Sequence, residues 1–167
     1  GHPQALSTPP TAFHSYAAGS LERSPVTMTA LTTHDTKRSE DVRARLMVLA
    51  SDAAGWEQWV RAASSLGAVH RSALVDAPTE YLVWQTLVGT WPITAARLEE
   101  YVLKAVREAK LHTAWVDGDD AYEQAVVDFA TGVLRDDAVR AHLDEWVVAQ
   151  ADSMRANVLG QKVVQLL

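Results

Sequence analysis

The sequence predicts a mainly helical protein: a helical subdomain of five to six helices, preceded by a loop and one isolated strand. Three observations carry this. From residue 39 onward, apolar side chains recur at spacings of three and four. The one segment rich in β-formers is 26–31, Val-Thr-Met-Thr-Ala-Leu, and nothing else in the chain reads as a strand that could pair with it. The 167 residues, 48% of them hydrophobic, suffice for one ordinary core and give no sign of a second.

Residues 1–24 hold three prolines, several Ser and Thr and no helical period, so they read as a loop, and Gly1-His2 as an expression scar. Next comes the strand at 26–31. Val42, Leu46 and Leu49 then form one helical face, and Trp56, Trp59, Val60 and Ala63 a second. Residues 64–77 read as a connection. Asp76 and Pro78 are the cap and first turn of a third helix, which Gly89 and Pro92 end. Thr94 caps a fourth, lined by Leu98, Tyr101, Val102, Ala105 and Ala109 down to about Lys110. The acidic turn around Gly118 leads to a fifth helix, marked by Tyr122, Val126, Phe129 and Val133. A last pattern from Val139 through Met154 to Val158 runs on to a break near Gly160. The boundary expected from this pass lies at 38/39: residues 1–38 carry the loop and strand, residues 39–167 the helices.

Chemistry concentrates where that strand would hand over to a helix, the place where α/β barrels put their catalytic groups. His34, Asp35, Lys37, Arg38, Glu40 and Asp41 fall within eight residues, more ionisable groups than packing at a strand's exit requires. The alternative is a solvated loop with Thr36 or Ser39 as helix cap.

The wording of the run, Thr33-His-Asp-Thr-Lys-Arg-Ser-Glu-Asp-Val-Arg-Ala-Arg45, resembles the fourth sequence region of the maltooligosyltrehalose synthases, a family within the α-amylase superfamily. Three downstream blocks are similar to the same family: 81–92 (YLVWQTLVGTWP), 101–115 (YVLKAVREAKLHTAW) and 121–123 (AYE), with shorter matches upstream at Phe13-His14 and at 25–28. The resemblance implies that 26–31 is the seventh strand of a (β/α)8 barrel and that residues 39–167 are an inserted helical subdomain. It also implies that this chain is a piece of a longer enzyme, since a single strand leaves its amide and carbonyl groups unpaired.

By that resemblance Asp35 is the third acidic residue of the superfamily, and His34 its hydrogen-bonding neighbour on a bound glucose. Retaining cleavage of a glycosidic bond also needs a nucleophilic carboxylate and an acid/base carboxyl about 5 Å apart. The motifs for those two are absent here. Glu40 and Asp41 belong to a first helical turn, where a carboxylate gains from the helix dipole. The resemblance makes Lys37 and Arg38 candidates for binding sugar hydroxyls or orienting the acidic groups, beside the alternative of a purely structural ion-pair role. Trp91 is the leading aromatic platform for a glucan, ahead of Trp84 and Trp115, although Trp at helical spacing also serves cores. Lys104 and Glu108, four apart, read as a solvated ion pair.

The implied activity is an intramolecular glucosyl transfer that turns the reducing-end α-1,4 bond of a maltooligosaccharide into an α,α-1,1 bond, an isomerisation belonging to trehalose biosynthesis. The implied partners are the maltooligosaccharide and the remainder of the barrel. Two other readings stand beside it: a stand-alone helical module that binds carbohydrate or protein without catalysis, and another α-amylase-type glycoside hydrolase sharing the His-Asp turn.

Composition bounds all three. A net charge of -6 argues against a nucleic-acid partner, which needs clustered cations. No apolar run approaches the roughly 18 residues of a membrane span. The absence of cysteine fits a reducing, cytoplasmic setting. The six histidines have no metal-ligand spacing, and no metal or cofactor is expected.

Overall fold

The computed structural model describes residues 4, 7–28 and 30–166. It contains α-helices α1 (Pro10–Arg23), α2 (Glu40–Ser51), α3 (Ala53–Leu66), α4 (Ala77–Thr90), α5 (Ala95–Ala109), α6 (Asp120–Arg135), α7 (Asp137–Ala149) and α8 (Ala151–Leu166). Two short 3-10 turns, His34–Thr36 and Gly67–His70, complete it.

Helix α4 is the axis of the packing. Val83, Trp84, Leu87 and Val88 are fully buried, together with Thr86 and Glu80, so the helix is enclosed on several sides rather than along one stripe. Trp84 meets Trp59 of α3 edge-on at 6.2 Å between centroids and Phe129 of α6 at 5.7 Å. Its indole N–H donates to Glu80 Oε1 (3.2 Å), and Arg71 neutralises that buried carboxylate. Around α4 stand α2, α3, α6 and α7, while α5 lies on α6 and α8 on α2. At Gly67 a Cβ would sit 3.0 Å from both Trp84 and Val133, so any side chain there would push those core atoms back by a few tenths of an ångström.

Caps set the starts of α4, α5 and α6 where the sequence indicated them. The side chains of Asp76, Thr94 and Asp119 accept backbone N–H bonds from Thr79, Arg97 and Tyr122. Lys110, in the left-handed conformation at φ 56°, closes α5.

Three expectations need correction. Residues 10–23 are helical, not loop: Pro10 occupies the first helical position, where its missing N–H and fixed φ suit a helix start, so the prolines signalled a beginning. No strand occurs at 26–31 among the described residues; Val26 and Met28 are each 97% exposed, and β-propensity without a partner strand makes no ladder. Seven α-helices, not five to six, follow residue 38, because the last apolar pattern divides at Gln150 while Gly160 lies inside α8. The suggested scar at Gly1-His2 lies outside the described residues.

Candidate functional site

The His-Asp run folds as a tight, internally tied turn. Thr33 and Thr36 cap one another: the Thr36 hydroxyl donates to the Thr33 carbonyl at 2.8 Å, and the Thr33 amide is 3.4 Å from Thr36 Oγ1. Lys37 then adopts φ 61°, ψ -39°, and Arg38 N donates across it to the Thr36 carbonyl at 2.6 Å. This is a γ-turn with positive φ, a conformation that costs a lysine backbone energy. Beyond it, Ser39 caps α2.

The turn separates its side chains. His34 Nδ1 and Asp35 Oδ1 are 3.3 Å apart, and the two side chains are 85% and 91% exposed. Asp35 is presented outward, with His34 as its one ion-pair neighbour among the described residues. Lys37 and Arg38 turn back onto the helices. Lys37 Nζ lies 3.3 Å from Glu108 of α5, which Lys104 also approaches at 4.0 Å. Arg38 Nε donates to the Tyr101 hydroxyl at 3.1 Å, and Nη2 reaches Thr86 Oγ1 at 3.5 Å.

A cleft of about 470 Å³ opens beside this pair, walled by Lys37, Arg38, Ser39, Thr90, Arg97 and Tyr101, with Val42 and Ile93 as apolar surface. A smaller one of about 250 Å³ shares Lys37 and Tyr101 with it and reaches Lys104 and Glu108. Volumes of this size suit a small ligand or a sugar ring or two.

Glu40 and Asp41 are occupied structurally. Both meet Lys162 of α8, at 3.2 and 3.0 Å, and Glu40 also engages Thr32. Trp91 stands away from the clefts: its N–H donates to Asp144 of α7 at 2.6 Å, and Arg140 lies 5.7 Å from the ring centroid. Trp84 is core. Trp115 is 59% exposed, with the Arg107 guanidinium 5.1 Å from its ring. Trp115→Ala is therefore expected to cost no more than about 1 kcal/mol in a urea melt, the worth of an exposed cation–π pair.

Arg107 is part of an arrangement that periodicity did not reveal. Its Nε and Nη2 grip Glu123 of α6 at 2.8 and 2.5 Å, and Thr113 donates to the same carboxylate at 2.7 Å. Arg107's hydrogen bonds, aided by Thr113's, hold the Glu123 carboxyl at about 2 despite burial. A second network joins Asp76 to Thr79, Tyr122 and His112, whose Nε2 is 2.8 Å from Asp76 Oδ2. In a third, Asp136 bonds His70 at 2.9 Å, and that bond, with the amides of Val139 and Ala138, lowers the carboxyl below its ordinary range. All three tie helices and loops together, and the blocks 101–115 and 121–123 meet through the first.

No protein-family profile matches the chain. A Mycobacterium tuberculosis (strain H37Rv) sequence described as a maltooligosyl trehalose synthase is 33% identical over 175 aligned positions, covering 98% of this chain and 22% of that protein. The solved maltooligosyltrehalose synthase from Arthrobacter ramosus superposes with a TM-score of 0.84 at 36% identity, over 100% of this chain and 21% of that one. A solved glycosyltrehalose synthase gives 0.75 at 32% identity, covering 86% and 20%. In sequence and in fold, the chain is thus a relative of one segment of the maltooligosyltrehalose synthases, and it spans about a fifth of their length.

Proposed function

We propose that this chain works as part of a maltooligosyltrehalose-forming enzyme, in which the reducing-end glucose of a maltooligosaccharide is cleaved from its α-1,4 bond and rejoined through an α,α-1,1 bond. The observation that carries the reading is the match of the whole of this chain to about a fifth of the Arthrobacter ramosus synthase, with the tied His34–Asp35 turn presenting a carboxylate away from the helices.

In this reading Asp35 supplies negative charge beside the sugar as oxocarbenium character develops, and His34 hydrogen-bonds the same glucose. Lys37 and Arg38, drawn back to the clefts, meet sugar hydroxyls, and Trp91, outside those clefts, serves as an apolar platform for a more distant part of the glucan. The nucleophile and the acid/base come from the remainder of a barrel polypeptide. Residues 39–167 act as the helical subdomain beside the site, shielding the intermediate from water so that the released glucose, not water, re-attacks. A cytoplasmic setting accords with the lack of cysteine, and no helix among the described residues is long and apolar enough to cross a membrane.

The 167-residue chain alone is expected to leave maltopentaose unconverted, because it holds one of the three acidic groups and loss of a nucleophile or acid/base costs orders of magnitude. Chromatographic assay for a non-reducing product checks this. The Arthrobacter ramosus enzyme carrying this segment in place of its own should form the product; turnover by the isolated chain, or a folded but inactive graft, would overturn the reading.

A further inference from the structure

The neighbouring cations Lys37 and Arg38 are held in chemically different ways. Lys37 is neutralised by a carboxylate, Glu108, at 3.3 Å. Arg38 is anchored by two neutral oxygens, the Tyr101 hydroxyl from α5 and the Thr86 hydroxyl from α4, and has no carboxylate within ion-pair distance among the described residues. The cleft's other guanidinium, Arg97, pairs with Glu100 at 3.1 Å. Arg38 is thus a half-buried cation in the wall of a cleft, fixed in direction but not in charge.

That combination is unusual for a structural arginine, since partly burying a cation costs desolvation energy that an ion pair would offset. A hydroxyl acceptor orients the planar fork without cancelling its charge, and a guanidinium has five N–H donors, of which these contacts engage two. The remaining donors are left for a ligand in the cleft that Arg38 lines, with the guanidinium charge uncancelled by a carboxylate. Thr86 is itself committed, its hydroxyl donating to the Leu82 carbonyl at 2.7 Å, which leaves its lone pairs for Arg38.

We propose that Tyr101, a residue of the helical subdomain, is a positioning residue for Arg38, and that Arg38 rather than Lys37 delivers the cleft's uncompensated charge to the oxygens of a bound glucosyl unit. The claim rests on the functional reading above. It makes α5 a working part of the site: the helix neutralises one cation of the turn and aims the other.

A double-mutant cycle in the graft-bearing synthase tests it. Tyr101→Phe should lower kcat/KM for maltopentaose about tenfold, the usual worth of one hydrogen bond to a charged group, with a melting temperature within about 2 °C of the parent. Arg38→Gln should lower it about a hundredfold. In the Arg38→Gln background Tyr101→Phe should have no further effect, because its route to the substrate is already gone. Equal losses from Tyr101→Phe in both backgrounds would remove Tyr101 as the positioning residue, and an unimpaired Arg38→Gln enzyme would remove both residues from these roles and Arg38 from the sugar-binding set, while product formation by the parent graft keeps the glucosyl-transfer reading standing. A parent graft that makes no product removes the reading and this role together.

Discussion

Asp35→Asn in the graft-bearing synthase should lower kcat by roughly 10² or more while leaving the melting temperature almost unchanged. The stability half of that expectation comes from the geometry, the rate half from the proposed role of Asp35. The carboxylate is 91% exposed and contacts His34 alone among charged groups of the described residues, so the fold hardly depends on it. Its charge matters most when positive character develops on the sugar, which affects rate more than substrate binding. Glu40→Gln supplies the contrast. Glu40 sits in the first turn of α2 and shares Lys162 with Asp41, so losing its charge costs at most about 1 kcal/mol and spares most activity. Steady-state kinetics with maltopentaose and thermal melts on both variants decide. An active Asp35→Asn beside an inactive Glu40→Gln would mean that the wrong carboxylate of the run has been chosen.

Arg107→Met should lower the stability of the chain, because it strands the Glu123 carboxylate of α6 without its arginine partner. The Glu123 side chain is 8% exposed and would keep only Thr113 as donor. Glu123→Gln should cost less, about 1 to 2 kcal/mol, because the Arg107 side chain is 31% exposed and can turn to water. The pair also has a pH signature. In the folded chain Glu123 titrates at about 2 instead of its ordinary 4.5, so its contribution is complete above about pH 4.5 and is lost as pH falls towards 2. The stability gap between parent and Arg107→Met, measured in urea melts, should therefore narrow across that window. A constant gap would mean that packing of the arginine stem, not its charge, is what matters. Asp76 and Asp136 are lowered too, so the gap is more informative than the parent's own acid transition.

How far the sequence could be read depended on whether each signal was local. Asp76, Thr94 and Asp119 announce their helices because a cap acts on amides three residues away. The apolar residues of the fifth expected helix, Tyr122, Val126, Phe129 and Val133, are all buried in α6. The division between α7 and α8 was hidden because Gln150 is no breaker, whereas Gly160 occupies open space where helix geometry is undisturbed. Helix α1 buries no side chain, so no apolar stripe could advertise it. At the site, family wording singled out Asp35 and His34 as candidates, while their outward placement had no local signal. Arg38 and Tyr101 are 63 positions apart, and Tyr101 carried only the signal of an apolar helical face. Glu108 was read as the local partner of Lys104, yet its shorter contact is to Lys37 from a different element.

The packing of α8 on α2 has a consequence for how such a helical unit can be carried by a larger chain. Lys162 touches Glu40, Gln161 reaches Asp41 and Asn157 bonds the Ala44 carbonyl, so backbone positions more than a hundred residues apart lie side by side. To a host polypeptide, a stretch of this length then behaves like a short surface loop. The flanking segments need not be pulled apart, and the conformational freedom lost in joining them is that of a small ring, since closure entropy grows only with the logarithm of contour length and the folded helices remove most of that contour. The same proximity makes residues near 40 and 162 natural points at which to transplant the unit between homologous enzymes.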